Sequence, residues 1–187
     1  VADVDSTNLD TGTLTASIPA GGDATEDVLS IRNQGTGAGQ IGVSSNTITY
    51  QGVTIGTFTG GSSGSDLVIT FNASATPTAV TALVRNITYQ NTDTNAPTTG
   101  ARTVRFVLTD GDGGTSPSYN TTVTVSAVND APVLADLALS LTVAEDAGAP
   151  SGAVGSLIST FTGGITDVDS GASKGIAITG SNQTNGI

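Results

Sequence analysis

Short segments rich in Val, Ile, Thr, Tyr and Phe recur along most of this 187-residue chain, and clusters of Gly, Asn, Asp or Pro separate them. The interval between segments is about 8–15 residues, which is typical of a β-sandwich or barrel because each short strand ends in a tight turn. The sequence therefore predicts an all-β fold, with strands at residues 14–18, 28–31, 40–43, 47–50, 54–58, 67–71, 86–89, 103–108 and 121–128.

The last two of these segments predict a β-hairpin. Residues 103–108 (TVRFVL) and 121–128 (TTVTVSAV) alternate in polarity, and the turn-forming run DGDGGTS at residues 110–116 lies between them. Alternation places every second side chain on the same face of a strand. We therefore expect an antiparallel pair, with the DGDGGTS turn at one end and the chain exit at Asn129 and Asp130 at the other.

One segment departs from the strand pattern. Thr76 is suited to cap a helix, and the proline that follows it is suited to the first helical position. Ala79, Val80 and Leu83 then fall on one helical face. The sequence predicts one short helix near residues 77–84, with a purely structural role.

The residue types that are missing exclude several functions. The chain contains no His and no Cys, so it offers no imidazole base, no thiolate and no nitrogen or sulfur ligand for zinc or copper. Acidic residues number 16 against 5 basic ones, and this net charge of −11 repels phosphate backbones. No apolar run approaches the ~20 residues that span a bilayer. We expect no nucleic-acid partner and no membrane insertion.

Catalysis is also not expected. Paired carboxylates can hydrolyse glycosides, but a sugar-binding cleft normally offers aromatic side chains for stacking. The chain has only four Phe and three Tyr, and most of them lie inside strand patterns where core packing explains them. We therefore predict that the chain is not an enzyme and has no catalytic residue.

The acidic turns point instead to a hard cation. Residues 2–6 read ADVDS and residues 166–170 read TDVDS, and a D-x-D turn directs both carboxylates the same way. Calcium takes about six to eight oxygen ligands, and no single loop here follows the EF-hand pattern, so separate loops must pool their ligands. At one end of the first module the candidate ligands are Asp3, Asp5, Asp110 and Asp112. At the other end, where a second module begins, they are Asp93, Asn129, Asp130, Asp167 and Asp169.

The remaining acidic residues have a simpler interpretation. Asp-Gly and Asn-Asp pairs are common in turns that hold no metal, because Asp and Asn side chains bond their own backbone. We expect Glu26-Asp27 to form a strand-entry turn. We expect solvated surface charges at Asp10, Asp23, Asp66 and Asp136.

The run VLTDGDGGTSPSYNTTVTVSAVNDAPVL, at residues 107–134, resembles the terminal hairpin and linker of bacterial cadherin-like repeats, which occur in large surface adhesins. With the D-V-D-S turn upstream, the resemblance covers most of residues 2–134. It implies an immunoglobulin-like, antiparallel β-sandwich in tandem modules. Residues 1–130 would form a nearly complete repeat that lacks its first strand, and residues 131–187 would form the N-terminal part of the next repeat.

The resemblance also implies calcium at the joints between modules. Asn129 and Asp130 match the linker motif, and Asp167 and Asp169 match the D-x-D motif of the following domain. The D-R-E motif of the family is missing, and Asp93 is the proposed substitute. For the preceding joint, the resemblance implies Asp110 or Asp112 together with Asp3 and Asp5. Glu145-Asp146 resembles the early Glu motif and would serve a later joint.

These observations predict a calcium-rigidified structural or adhesive repeat segment of a large extracellular surface protein. Its partners would be neighbouring repeats of the same protein or identical subunits, with cell-surface glycans or proteins as further candidates. Two alternatives remain open. One is a self-assembling filament subunit that exchanges strands between neighbours through residues 137–161. The other is a calcium-dependent carbohydrate-binding module.

Overall fold

The structure is a computed structural model, and it describes residues 1, 6–135 and 162–177. The chain divides into two compact units, unit 1 (Val1–Ala127) and unit 2 (Val128–Ile187), and each is considered by itself. Residues 137–161, the segment considered for strand exchange, lie outside the described residues, as do Asp3, Asp5, Asp136, Glu145 and Asp146.

The regular elements of unit 1 are β-strands, apart from one helix. In chain order its elements are β1 (Thr13–Ala20), β2 (Asp27–Ile31), β3 (Ile41–Ser44), β4 (Thr47–Tyr50), β5 (Val53–Thr59), β6 (Leu67–Phe71), α1 (Pro77–Val84), β7 (Ile87–Asn91), β8 (Gly100–Leu108) and β9 (Tyr119–Val125). Seven of these strands form one sheet in the order β3-β4-β5-β6-β1-β8-β9, and β2 pairs with β7 in a second sheet. Each neighbouring pair is antiparallel. Within the described residues, the expectation of an all-β fold with one short helix is confirmed.

The predicted terminal hairpin is also confirmed. Strands β8 and β9 pair without interruption from Gly100↔Val125 to Phe106↔Tyr119. The DGDGGTS turn joins them, and a bridge between Thr109 and Thr115 closes it. Strand β9 ends three residues earlier than the polarity pattern indicates, at Val125 rather than at residue 128.

Helix α1 follows the sequence signals closely. The Thr76 hydroxyl accepts a hydrogen bond from the Ala79 N–H at 3.3 Å, and a proline opens the first turn. This arrangement satisfies one of the N–H groups that every helix start leaves unpaired. Ala79, Val80 and Leu83 are the buried residues of the helix, so the predicted apolar face is the one that packs inward.

One hydrophobic core joins the two sheets and the helix. Burial alternates along the strands, because successive side chains point to opposite faces. Leu14 in β1, Ile69 in β6, Leu29 in β2 and Val80 in α1 are all at most 4% exposed and belong to the same buried cluster. Each such side chain contributes roughly 1.5–3 kcal/mol to folding.

A glycine connects the large sheet to the smaller one. Gly61, in the loop between β5 and β6, has a φ of +91°, a conformation that side chains disfavour. Its carbonyl accepts the Leu29 N–H of β2 at 2.7 Å. A Cβ atom at this position would lie 2.2 Å from the Leu29 carbonyl oxygen, so only glycine allows the approach.

Unit 2 contains a small antiparallel pair. Strand β10 (Val133–Leu134) pairs with β11 (Ile165–Thr166), with Val133 opposite Thr166 and Leu134 opposite Ile165. The Ala135 N–H extends the pairing by donating to the Gly164 carbonyl at 2.8 Å. The chain that follows Pro132 therefore runs antiparallel to the chain that leads into the TDVDS turn.

Candidate metal centre

The β10–β11 pair brings two separate acidic motifs of unit 2 together. In an antiparallel pair, the residues before one strand meet the residues after the other. Asp130 lies just before β10 and Asp169 just after β11. The Asp130 N–H donates to Asp169 Oδ2 at 2.7 Å, although the two residues are 39 positions apart in the chain. The linker motif and the D-x-D motif are thus in direct contact.

Hydrogen bonds within each motif fix its conformation. The Asp169 N–H donates to Asp167 Oδ1 at 2.9 Å, as in an Asx-turn. The side-chain amide of Asn129 donates to the carbonyl of Asp130 at 2.8 Å. Asp130, Asp167 and Asp169 are each half-buried, whereas Asn129 is exposed. Four of the residues predicted from sequence to bind calcium therefore lie in one small region.

The donor set of this region is chemically suited to a hard cation. Its side chains are three carboxylates and one amide, so all its candidate ligand atoms are oxygens. Across residues 1, 6–135 and 162–177, no three side chains of His, Cys, Asp or Glu lie close enough together to hold a metal ion by themselves. Calcium bound at this centre would draw on the Asn129 amide, backbone carbonyls and water as well as on carboxylates.

The predicted ligands Asp110 and Asp112 lie in the DGDGGTS turn, at the end of unit 1 where β8 finishes and β9 begins. Asp110 Oδ1 accepts the N–H groups of Asp112 and Gly114, at 2.8 and 2.9 Å. This carboxylate thus shapes its own turn. The Asp10–Gly12 loop packs against the same turn, since a Cβ atom at Gly111 would lie 2.0 Å from the Asp10 carbonyl oxygen. As expected, the Asp10 side chain is exposed.

Asp93 lies in the loop that follows β7. Its Oδ1 accepts the N–H groups of Asn95 and Ala96, at 2.9 and 3.1 Å, and these two bonds lower the pKa of the carboxyl group. The Thr92 N–H donates to the Glu26 carbonyl at 2.8 Å, which ties the loop to the start of β2. Asp93 therefore lies at the end of unit 1 where β9 finishes, opposite the DGDGGTS turn.

The same end of unit 1 contains a buried charge pair that the sequence interpretation missed. We expected Glu26-Asp27 to be a simple strand-entry turn, but Asp27 is the first residue of β2 and is only 5% exposed. Arg102 Nε donates to its Oδ2 at 3.0 Å, and Arg102 itself is 1% exposed. A carboxylate that is desolvated to this extent requires a partner, and the arginine supplies it.

Hydrogen bonds complete the surroundings of Asp27. Its Oδ1 accepts from the Tyr89 hydroxyl and from the Asn91 amide, and its Oδ2 also accepts the Asp23 N–H at 2.7 Å. Burial by itself would raise the pKa of Asp27, but these bonds and the charge of Arg102 outweigh it, so the pKa is lowered. Burial and the neighbouring carboxylate raise the pKa of Tyr89.

The neighbouring acids are also engaged with protein groups. Glu26 Oε2 accepts the Asn91 amide and the Thr98 N–H, both at 2.9 Å. The Thr98 hydroxyl lies 2.9 Å from Asp23 Oδ2. Asp23 is therefore not the solvated charge that we expected: hydrogen bonds from the Thr25 hydroxyl, the Thr25 N–H and Thr98 lower its pKa. Asp66, by contrast, is exposed as expected.

Comparison with protein-family models, curated proteins and solved structures finds no match to this chain. Within the described residues, no helix is long and apolar enough to cross a membrane.

Proposed function

We propose that this chain is a non-catalytic, calcium-rigidified segment of tandem immunoglobulin-like, cadherin-like repeats from a large extracellular surface protein. The observation that carries the proposal is the hydrogen bond from the Asp130 N–H to Asp169 Oδ2, at 2.7 Å. It joins the two motifs that the family resemblance pairs at one calcium site. Neither motif alone contains enough oxygen ligands for the ion.

Calcium would be held by Asn129, Asp130, Asp167 and Asp169. Without the ion, the negative charges of Asp130, Asp167 and Asp169 repel one another, because like charges in one region destabilise the arrangement that holds them. With the ion, this repulsion is replaced by attraction, and the linker residues Asn129 and Asp130 are fixed to the D-x-D turn. The segment that follows Ala127 would then be stiff only when calcium is present.

A second calcium site is proposed at the far end of unit 1, for the preceding joint. Its ligands would come from Asp110 or Asp112 together with Asp3 and Asp5. Asp93 would instead be a ligand at the opposite end of unit 1. Asp110 already uses Oδ1 to hold its own turn, so this loop is rigid before any ion arrives. A pre-formed loop loses less conformational freedom when it binds a ligand.

Thermal unfolding with calcium and with a chelator tests the proposal. Binding to the folded state alone stabilises it by RT ln(1 + [L]/Kd), which is about 2.7 kcal/mol at a hundredfold excess over Kd. We expect calcium to raise the melting temperature of wild type, and of the control Asp66→Asn, in which the altered carboxylate is exposed. We expect Asp169→Asn to lose the part of this increase that comes from calcium bound by Asn129, Asp130, Asp167 and Asp169. Equal melting temperatures with calcium and with chelator would contradict the proposal.

A further inference from the structure

The outer edge of strand β9 is unusually open. Strand β9 is the last strand of the seven-stranded sheet, and in the described part of unit 1 only β8 pairs with it. Its sequence, YNTTVTV, has no charge, no proline and no glycine, and its register with β8 is continuous over seven residue pairs. Natural proteins usually protect such an edge with charges, prolines, bulges or very short strands.

The opposite edge of the same sheet has this protection. Strand β3 is only four residues long. The Val43 N–H donates to Asn33 Oδ1 and the Val43 carbonyl accepts from Asn33 Nδ2, both at 3.1 Å. The Ile41 N–H donates to Gln34 Oε1 at 3.1 Å, and the Ile41 carbonyl accepts the Gln34 N–H at 2.7 Å. Asn33 and Gln34 thus occupy backbone groups of β3, whereas within the described residues no strand other than β8 pairs with β9.

An apolar surface adjoins the open edge. Tyr119 is 69% exposed, and Phe106, which pairs with it across the hairpin, is only half-buried. With Leu108 and Pro117 they line a shallow groove on the inner face of β8 and β9. We expected most aromatic residues to be explained by core packing, and Tyr119 is an exception. An extended strand at this edge would cover part of the groove.

We propose that the edge of β9 pairs with β9 of a second copy of this chain, antiparallel and centred on Thr122. The sequence of the strand is complementary to itself in this register. Tyr119 lies opposite the partner's Val125, Asn120 opposite the partner's Thr124, and Thr121 opposite the partner's Val123. Aromatic pairs with β-branched residues and hydroxyl pairs are the types that stabilise adjacent strands.

Charge opposes a second copy less at this edge than at an acidic surface. Two copies with a net charge of −11 repel each other, but residues 119–125 contain no acidic residue that would add local repulsion. The two-fold axis that relates the two copies is perpendicular to the sheet, so the inner faces of both copies lie on the same side of the joined sheet. The partner's Val125 then covers the exposed ring of Tyr119. Such a short contact belongs to the small, weak class of interfaces, so the dimer is expected to depend on concentration.

The register makes a charge-reversal experiment possible. Because Thr122 pairs with the same residue of the partner, Thr122→Lys or Thr122→Glu places like charges directly opposite each other. An equimolar mixture of the two variants places opposite charges there instead. The control is Thr57→Lys, since Thr57 is equally exposed but lies in β5, which is paired on both sides. All samples contain chelator, so the outcome does not depend on the proposed calcium sites.

Sedimentation velocity over a range of concentrations measures the result. We expect wild type and Thr57→Lys to dimerise with equal affinity, and each Thr122 variant alone to dimerise at least about tenfold more weakly, since like charges opposite each other in a sheet destabilise the pair. We expect the mixture to recover dimers. Circular dichroism confirms that each variant is folded. A monomeric wild type, a Thr122→Lys variant that dimerises like wild type, or a mixture without recovery would each overturn the proposal.

Discussion

Arg102 in β8 and Asp27 in β2 form a buried ion pair between the two sheets of unit 1, with Nε 3.0 Å from Oδ2 and side chains only 1% and 2% exposed. Arg102 also donates to the carbonyl oxygens of Thr98 and Gly100. The pair therefore holds the start of β2 and the start of β8 in one arrangement, at the end of unit 1 where β9 finishes.

Removing one partner of this pair is expected to destabilise unit 1 strongly. Asp27→Asn keeps the shape of the side chain but leaves the Arg102 guanidinium buried without a counter-charge. Breaking a buried pair in this way costs about 3–5 kcal/mol of unfolding free energy. Urea unfolding measures the loss, and Asp66→Asn, at an exposed carboxylate, is expected to change the free energy by less than about 0.5 kcal/mol. Equal stability of the two variants would show that the pair is not important for folding.

The pKa of Asp27 predicts how unit 1 responds to acid. The folded state holds this pKa below its unfolded value near 3.8, so below that value the unfolded chain binds more protons than the folded one. The stabilisation is fully present well above pH 3.8 and is lost as the pH falls through the folded pKa. Wild type is therefore expected to lose stability as the pH falls below about 4. Asp27→Asn should show a shallower loss, measured as urea midpoints across this range. If the urea midpoints of the two proteins fell in parallel as the pH was lowered, this would argue against Asp27 as the group responsible.

The close approach at Gly61 predicts a large effect of a single methyl group. Gly61→Ala places a Cβ atom 2.2 Å from the Leu29 carbonyl oxygen, at a φ of +91°. Gly39→Ala is the matched control, because Gly39 has a φ of +75° but nothing within 4 Å of the added atom. We expect Gly61→Ala to lower the unfolding free energy by at least about 2 kcal/mol more than Gly39→Ala, since backbone strain and overpacking add. If both variants lost the same unfolding free energy, the close contact with β2 would not be what restricts this position to glycine.

The cap of α1 predicts a smaller effect. Thr76→Ala removes the hydroxyl that accepts the Ala79 N–H and is expected to cost about 1 kcal/mol. Thr78→Ala, at an exposed position inside the same helix, is expected to be neutral or slightly stabilising because alanine has the higher helix propensity. Chemical denaturation distinguishes the two. A Thr76→Ala variant as stable as Thr78→Ala would mean that the cap contributes nothing.

Most of the fold of unit 1 was predictable from local signals. Strands such as β4 and β6 have the bounds that their composition indicates, and α1 begins at the proline that follows Thr76. These signals are local because turn residues, caps and alternation act on neighbours in the chain. The order of the strands in the sheet depends on contacts between distant segments, so local signals do not predict it.

The Asp27–Arg102 pair could be predicted only in part from the polarity pattern of the strands. Arg102 has the same alternation phase as Val104 and Phe106, so its side chain points to the inner face. A charged residue in phase with apolar ones indicates a buried counter-ion, and this was the available signal. The identity of that counter-ion was not available, because Asp27 lies 75 residues away in the chain. The contact of Asp130 with Asp169, in contrast, was expected because the family resemblance pairs the linker motif with the D-x-D motif.

Calorimetric titration of calcium into chelator-stripped protein tests directly whether this chain binds calcium through Asp169. We expect saturable binding to wild type, unchanged binding to Asp66→Asn, and a site weakened at least about tenfold in Asp169→Asn, because one of the few carboxylate ligands is lost. Absence of calcium binding to wild type, or identical isotherms for Asp169→Asn and wild type, would contradict this expectation.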